Sequence, residues 1–259
     1  MRILVSNDDG VEAAGLRALA EALLPLGEVT VCAPDREQSA ASHSISLHRP
    51  LRIEALQPWG PHGEIQRFAV DGTPTDAVYV GINHLLKDAR PDLVASGINR
   101  GANLAHDIHY SGTVAAAMEG CVLGVPSFAI SLAGRAPPHD YSFAAGFARA
   151  LAARMQRRPL PPATLLNVNV PPGEPHGVQI TRIGRRSYAA AVVQKVDPRG
   201  RAYYWIGGDE QAHQVVPGSD CDAVFDRRLI SVTPLHLDLT QQALVEELRG
   251  WDLPGLVRD

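Results

Sequence analysis

The chain is short of cysteine: Cys32, Cys121 and Cys221 lie far apart, and no C-x-x-C pair occurs. An odd, scattered set supports neither a disulfide framework nor a thiolate zinc site, and it suits a reducing compartment. Long apolar runs are missing too. No stretch approaches the ~18 apolar residues of a membrane-spanning helix, and the first residues lack the basic-then-apolar pattern of a secretory signal. The expectation is a soluble, cytoplasmic protein with no membrane partner. Positive charge is not in excess either. At a formal net charge of −4 the chain does not offer the broad basic face that duplex nucleic acid requires, although small anions can still bind where local charge differs from the total. The first strand-to-helix turn has no G-x-G-x-x-G, which speaks against a dinucleotide-dependent oxidoreductase. What is present is ordinary globular composition, 45% hydrophobic and 20% charged over 259 residues, enough for one large core or a core with an appended subdomain.

The informative stretch opens the chain. Ile3-Leu4-Val5 reads as a buried strand and Asn7-Asp8-Asp9-Gly10 as a turn, which puts two adjacent carboxylates where open α/β sheets bind ligands. Two like charges side by side repel unless a cation lies between them or one takes a proton. A hard divalent metal is the simplest remedy; the plainer alternative is that one acid caps the following helix.

Strands and helices then alternate. Leu16, Leu19, Ala20 and Leu23 recur at helical spacing; Val29–Ala33 is a second strand; a polar loop runs from Asp35 through Ser39, His43 and Ser44 to Ser46. Thr73-Pro74-Thr75-Asp76 has the pattern of a helix start, with Val78, Ile82, Leu85 and Leu86 as its buried stripe. Leu93-Val94-Ala95 is read as a strand running into a loop from Ser96 to Asn103, Ser111-Gly112-Thr113 as the start of a helix through Leu123, Phe128-Ala129-Ile130 as a strand, and Phe143 to Met155 as a helix. The fold class expected is α/β, a Rossmann-like, doubly wound, mainly parallel sheet in three layers, over residues 1–160. Residues 161–259 change character. Prolines mark the break, short extended pieces follow, and a helix near Gln241 to Leu248 ends a β-rich extension whose hairpins could reach a neighbouring subunit.

If parallel strands present their C-terminal ends on one face, Asp8, Asp9, the Ser39 loop and the Asn99 loop converge there. Two carboxylates, a hydroxyl and an amide carbonyl form a hard-ligand set, suited to Mg²⁺, Mn²⁺ or Ca²⁺ rather than zinc. Ser111-Gly112-Thr113 adds a helix start whose free N–H groups favour a phosphate, and Asn103 offers donors nearby. Taken alone, such a helix start is more often an ordinary cap.

These residues resemble the survival protein SurE family of metal-dependent nucleotidases. The resemblance runs through residues 3–10, then Ala33 to Ser39 with His43-Ser44-Ile45, Asp71-Gly72-Thr73-Pro74, Ser96 to Asn103, Tyr110 to Gly120, and Ser231 to Leu235. It implies a divalent metal held by Asp8, Asp9, Ser39 and Asn99, one Mg²⁺ or Mn²⁺ per subunit, with Ca²⁺ able to take the place in a crystal. It also implies hydrolysis of nucleoside 5′- and 3′-monophosphates, with short polyphosphate as a further substrate, and a homodimer or homotetramer made by exchanging C-terminal segments. One departure is Ala40-Ala41-Ser42, where the family leads one to expect more glycine. On this reading Asp8, Asp9 and Asn99 are catalytic, and Asn103, Ser111, Gly112, Thr113, His43 and Ser44 meet phosphate or substrate. A receiver-like signalling module without turnover is the rival from another class, but it would need a phosphoacceptor Asp where Asn99 stands. His43 and His109 have a solvated-loop alternative. For the aromatic group Tyr203-Tyr204-Trp205 the leading reading is core or interface, and for the arginines between 182 and 201 it is a solvated hairpin face.

Overall fold

The computed structural model describes residues 1–134, 139–186, 191–207 and 213–251. β1 (Arg2–Ser6) is apolar on both faces, Ile3 and Val5 entering one layer and Leu4 the other, as a central parallel strand requires. α1 (Ala14–Leu23) buries Leu16, Leu19, Ala20 and Leu23 along one stripe and returns the chain to β2 (Glu28–Pro34), parallel to β1. β3 (Ile53–Trp59) and β4 (Ile65–Val70) form an antiparallel pair, β4 running parallel to β2. α2 (Pro74–Val80) starts with the capping box its sequence announces, Thr73 Oγ1 accepting from the Asp76 N–H while Asp76 accepts from the Thr73 N–H, and continues into a π-helical turn over Gly81–Leu85.

β5 (Leu93–Arg100), α3 (Gly112–Val122), β6 (Ser127–Leu132), α4 (Ser142–Arg157) and β7 (Thr164–Val170) complete the alternation. β8 (Val178–Ile180), β9 (Arg185–Arg186), β10 (Ala191–Val196), β11 (Ala202–Gly207), β12 (His213–Gln214), β13 (Ile230–His236) and α5 (Gln242–Arg249) follow. Among the described residues the main sheet has nine strands in the order β3-β4-β2-β1-β5-β6-β7-β13-β8, antiparallel only at β3–β4 and β7–β13. α1 and α4 cover one face, around Leu19, Phe128 and Ala148; α2 and α3 cover the other, around Leu4, Val78 and Ala116. β7, β13 and β8 carry this sheet past residue 160, so its edge does not fall at the division expected there, and residues 252–259 of the extension lie outside the described set. β10–β11 and β9–β12 are separate antiparallel pairs. Among the described residues no helix is long and apolar enough to cross a membrane.

α4 buries Ala144, Ala148, Ala152 and Met155, and on its exposed side Gly146 has open space where a Cβ would stand. A helix-interior glycine wastes backbone entropy, so Gly146→Ala is expected to stabilise by about 0.5–1 kcal/mol. The check is a raised urea midpoint at unchanged m-value; a lowered midpoint would mean the position is not open.

The chain enters the sheet at β1, grows outward through β2 and β4, then crosses back to place β5 on the opposite side of β1. The strand order therefore reverses between β1 and β5, and loops leaving the C-terminal ends of these two strands diverge to leave a crevice.

Candidate active site

The acid loop occupies that crevice. Asn7 is buried and its Nδ2 donates to the Gly10 carbonyl at 3.0 Å, while the Val11 N–H donates to the Pro34 carbonyl at 2.8 Å, so the turn after β1 is tied to the end of β2. Each neighbouring segment is then bonded to the acids themselves. Thr113 Oγ1 donates to Asp8 Oδ1, the Gln38 N–H donates to the Asp8 carbonyl at 2.8 Å, and the Arg100 N–H donates to Asp9 Oδ2 at 3.1 Å. Gly112 lies so close that a Cβ there would sit 2.7 Å from Asp8 Cβ and 3.0 Å from Asp8 Oδ2. Four stretches spread over a hundred residues of sequence thus meet at one pair of carboxylates.

Burial sets the electrostatics. Asp8 is 7% exposed, and its pKa is pushed up to about 6, chiefly by burial, with the Thr113 hydroxyl pulling down and the neighbouring Asp9 charge pushing up. Asp9 is half-buried and also raised, again by burial first, against the Arg100 N–H and guanidinium, which lower it. Among the described residues no basic side chain forms an ion pair with Asp8. Charge is therefore concentrated where it is least solvated, the condition under which a hard cation binds well. No group of three or more His, Cys, Asp or Glu that could hold a metal occurs among the described residues, so the oxygen donors beyond the two acids have to be neutral ones.

Two such donors lie in the segments bonded to the acids, Ser39 next to Gln38 and Asn99 next to Arg100. Ser39 Oγ donates to Glu37 Oε1 at 2.6 Å, which turns its lone pairs free for a cation. Asn99 is not in a loop, contrary to expectation. β5 shifts register against β6 between Ser96 and Asn99, where the Gly97–Ile98 peptide is cis, and then resumes pairing, Asn99 opposite Ser131 and Arg100 opposite Leu132. Gly97 marks a bulge rather than the end of the strand. Asn99 Nδ2 donates to the Gly101 carbonyl at 2.9 Å, so the side-chain oxygen is the half of the amide that could meet a cation.

Ser111 caps α3, its Oγ accepting from the Val114 N–H at 3.1 Å. Thr113 is fully buried against Asp8. Asn103 is also buried, but its Nδ2 donates to Ser131 Oγ at 2.9 Å, its N–H donates to Asn169 Oδ1 at 2.8 Å, and its carbonyl accepts from Asn167 Nδ2 at 2.8 Å and Asn169 Nδ2 at 3.0 Å. Its side chain thus works inside an asparagine network between β6 and β7. His43 Nε2 lies 2.8 Å from Glu119 Oε2 on α3, and Ser44 Oγ donates to the Ala41 carbonyl at 2.8 Å.

Several participants carry no local signature in the sequence. The Tyr141 hydroxyl has its pKa raised by burial and by Asp9, with Arg100 acting the other way, so this residue lies within electrostatic reach of Asp9. Asp220 is fully buried and accepts from the N–H groups of Ala105, Gly184 and Cys221 at 2.9, 2.7 and 2.8 Å, while Arg186 bridges Asp107 at 2.5 Å. Both hold the segment that leads into Ser111. Grooves of about 350 and 460 Å³ lie elsewhere, between α4 and the β8–β13 edge around Phe147 and Val178, and include none of these residues.

Comparison with known proteins agrees in both sequence and fold. Residues 3–190 match the family model described as survival protein SurE. A protein named 5′-nucleotidase SurE from Anaeromyxobacter dehalogenans (strain 2CP-C) is 59% identical over 261 residues, covering 100% of this chain and 99% of that protein. One of the same name from Myxococcus xanthus (strain DK1622) is 59% identical, covering 99% of this chain and 95% of its own. The crystal structure of the SurE protein from Aquifex aeolicus superposes with a TM-score of 0.83 at 39% identity, covering 97% of this chain and 100% of that one. The family model spans most of the chain and the relatives match it nearly end to end: the chain belongs to the SurE family.

Proposed function

We propose that this chain is a 5′-nucleotidase, a phosphomonoesterase that converts nucleoside 5′-monophosphates to nucleoside and phosphate, with 3′-monophosphates and short polyphosphate as further substrates. The observation that carries the reading is the direct contact between Asp8 and the first turn of α3, through Gly112 and Thr113. It sets an anion-binding helix start against an acid pair, an arrangement suited to a phosphoryl group accompanied by a cation. Full-length relatives named for this activity support it.

Asp8, Asp9, Ser39 and Asn99 would hold one divalent cation, Mg²⁺ or Mn²⁺. Their fit rests on the buried, charge-crowded Asp8, raised to about 6 by burial, and on neutral oxygens in the two flanking segments. A dication there supplies charge neutralisation and acidifies a coordinated water. The protein does the rest. Backbone N–H groups at Gly112 and Thr113, with the Ser111 hydroxyl, bind and orient the phosphate, the Ser111 N–H itself being held by the Asp107 carbonyl at 3.1 Å, and Thr113 fixes the Asp8 rotamer. Asp8, or Asp9 held by the Arg100 N–H, positions the attacking water and takes its proton, which passes to the nucleoside oxygen as the bond between that oxygen and phosphorus breaks. Asn99 orients the phosphate edge. Asn103 holds the turn beside it through Ser131 and Asn169, and His43 with Ser44 forms the wall facing the nucleoside. The C-terminal extension makes a cytoplasmic homodimer or homotetramer. Its support is apolar exposure, Trp205 at 61% and Ile206 at 93% on β11 and no buried residue in α5.

The test is phosphate release from adenosine 5′-monophosphate with Mn²⁺ or Mg²⁺, and again with EDTA. Turnover is expected only with metal. No release from any nucleoside monophosphate would favour a receiver-like module, and release indifferent to EDTA would remove the cation from the site.

A further inference from the structure

Glu119 lies on α3, seven residues and so two turns beyond Gly112, on the same side of the helix. Its side chain is only 8% exposed, and His43 Nε2 stands 2.8 Å from Oε2. His43 belongs to the polar segment between β2 and β3, which also carries Ser39. Elsewhere this segment is held by an exposed Glu37–Arg100 ion pair at 3.8 Å and by main-chain groups: the Gln38 N–H on the Asp8 carbonyl, the Ser42 N–H on the Tyr110 carbonyl at 3.1 Å, the Ser44 carbonyl under Thr73 Oγ1 at 2.7 Å, and the Ser46 N–H on Asp76 Oδ1 at 2.8 Å. Among the described residues, the His43–Glu119 contact is the one in which two side chains join this segment to α3.

The segment needs such a hold. Ala40 and Ser42 both have positive φ, 56° and 54°, a region that disfavours side chains with a Cβ and that glycine would occupy freely. The path of the segment is therefore strained at Ala40 and Ser42. Against that strain stands a buried carboxylate. Lifting His43 away would leave Glu119 unpaired in a poorly solvated position, a costly state.

We propose that Glu119 is a positioning residue: through His43 it latches the 35–46 segment, and with it Ser39, onto the helix that presents the phosphate-binding turn and locks Asp8. A single rigid element then sets the spacing of the acid, the phosphate and the serine oxygen. The latch bears on metal and substrate through the nucleotidase reading, but it exists or fails independently of it.

The test uses Glu119→Gln, His43→Ala and the double variant, each as the full chain. Amide exchange at Gln38 and Ser42 is expected to accelerate in all three. Mn²⁺ affinity, measured calorimetrically without substrate, is expected to fall about tenfold, as when a residue supporting a ligand is lost. The double variant should be no worse than either single, since both break one contact. His43 is 35% exposed, so His43→Ala remains informative if loss of the Glu119 charge prevents folding. Wild-type exchange and Mn²⁺ affinity alongside a lowered melting temperature would show a merely structural pair and overturn the proposal, as would additive losses in the double variant. If the wild-type chain hydrolyses no nucleotide, the nucleotidase reading falls, while exchange and Mn²⁺ binding still decide the latch.

Discussion

Asp8→Asn is expected to cut metal-dependent phosphate release by about three orders of magnitude, the scale on which one preorganised electrostatic group acts, while making the metal-free protein more stable at neutral pH. The two effects have one cause. Burial raises the Asp8 pKa from 3.8 to about 6, so the folded state holds this proton more tightly than the unfolded chain does. Below pH 4 both states are protonated and the acid carries no penalty. As pH rises towards 6 the unfolded chain ionises first, and stability is lost until the folded state ionises too. A shift of about two units corresponds to about 3 kcal/mol, fully felt above pH 6. Asparagine keeps an oxygen for Thr113 Oγ1 and removes the charge. Urea unfolding in EDTA should therefore show little difference from wild type at pH 4 and a more stable variant at pH 7. Equal stability at pH 7 would mean that the carboxylate is not electrostatically frustrated, and near-normal turnover would take Asp8 out of the site.

Gly112→Ala is the second large effect, and here the cause is space. The new Cβ would meet Asp8 Cβ at 2.7 Å and both Asp8 Oδ2 and Pro74 Cγ at 3.0 Å. None of these atoms can retreat easily: Asp8 is bonded to Thr113 and along its backbone to Gln38, and Pro74 is the first residue of α2. The start of α3 must move off the acid loop instead. Overpacking of this kind costs about 1–3 kcal/mol, and the displaced N–H groups no longer face the cation and phosphate together. Both turnover and the affinity for inorganic phosphate as a competitive inhibitor should collapse, whereas Gly146→Ala, the same chemical change in open space, should leave both intact. Phosphate affinity preserved in Gly112→Ala would show that the close approach is a packing accident.

What could be read along the chain was what local chemistry determines. Thr73 and Ser111 announce helix starts because a cap is a contact between residues three apart, and Ile3-Leu4-Val5 announces a central strand because both its faces are apolar. β3 and β4 gave no such signal: Pro58 interrupts the first, and exposed Glu54, Gln57 and Arg67's neighbour Gln66 blur the alternation. The stretch after Ala95 reads as a loop from Ser96 because glycine at 97 and polar residues after it look like a turn, yet pairing with β6 continues to Arg100. In the candidate site, the acids and the helix start that meets them were legible because they sit next to turn formers at strand ends. His43 meeting Glu119, 76 residues away, and Asp220 meeting Ala105, 115 residues away, were not. Such contacts follow from topology, and no spacing in the chain encodes them.

The asparagines of β7 bear on how the sheet avoids misassembly. Asn167 and Asn169 both turn toward α3 and grip a single carbonyl, that of Asn103, while Leu166, Val168 and Val170 turn toward α1 and α4. Sliding β7 by one position would drive two amides into that hydrocarbon layer and strand the Asn103 groups without partners. Between two strands as apolar as β6 and β7, where neighbouring alignments would bury nearly the same hydrocarbon, the amides act as a proofreader. They add little to the depth of the native state and much to its separation from near-miss pairings.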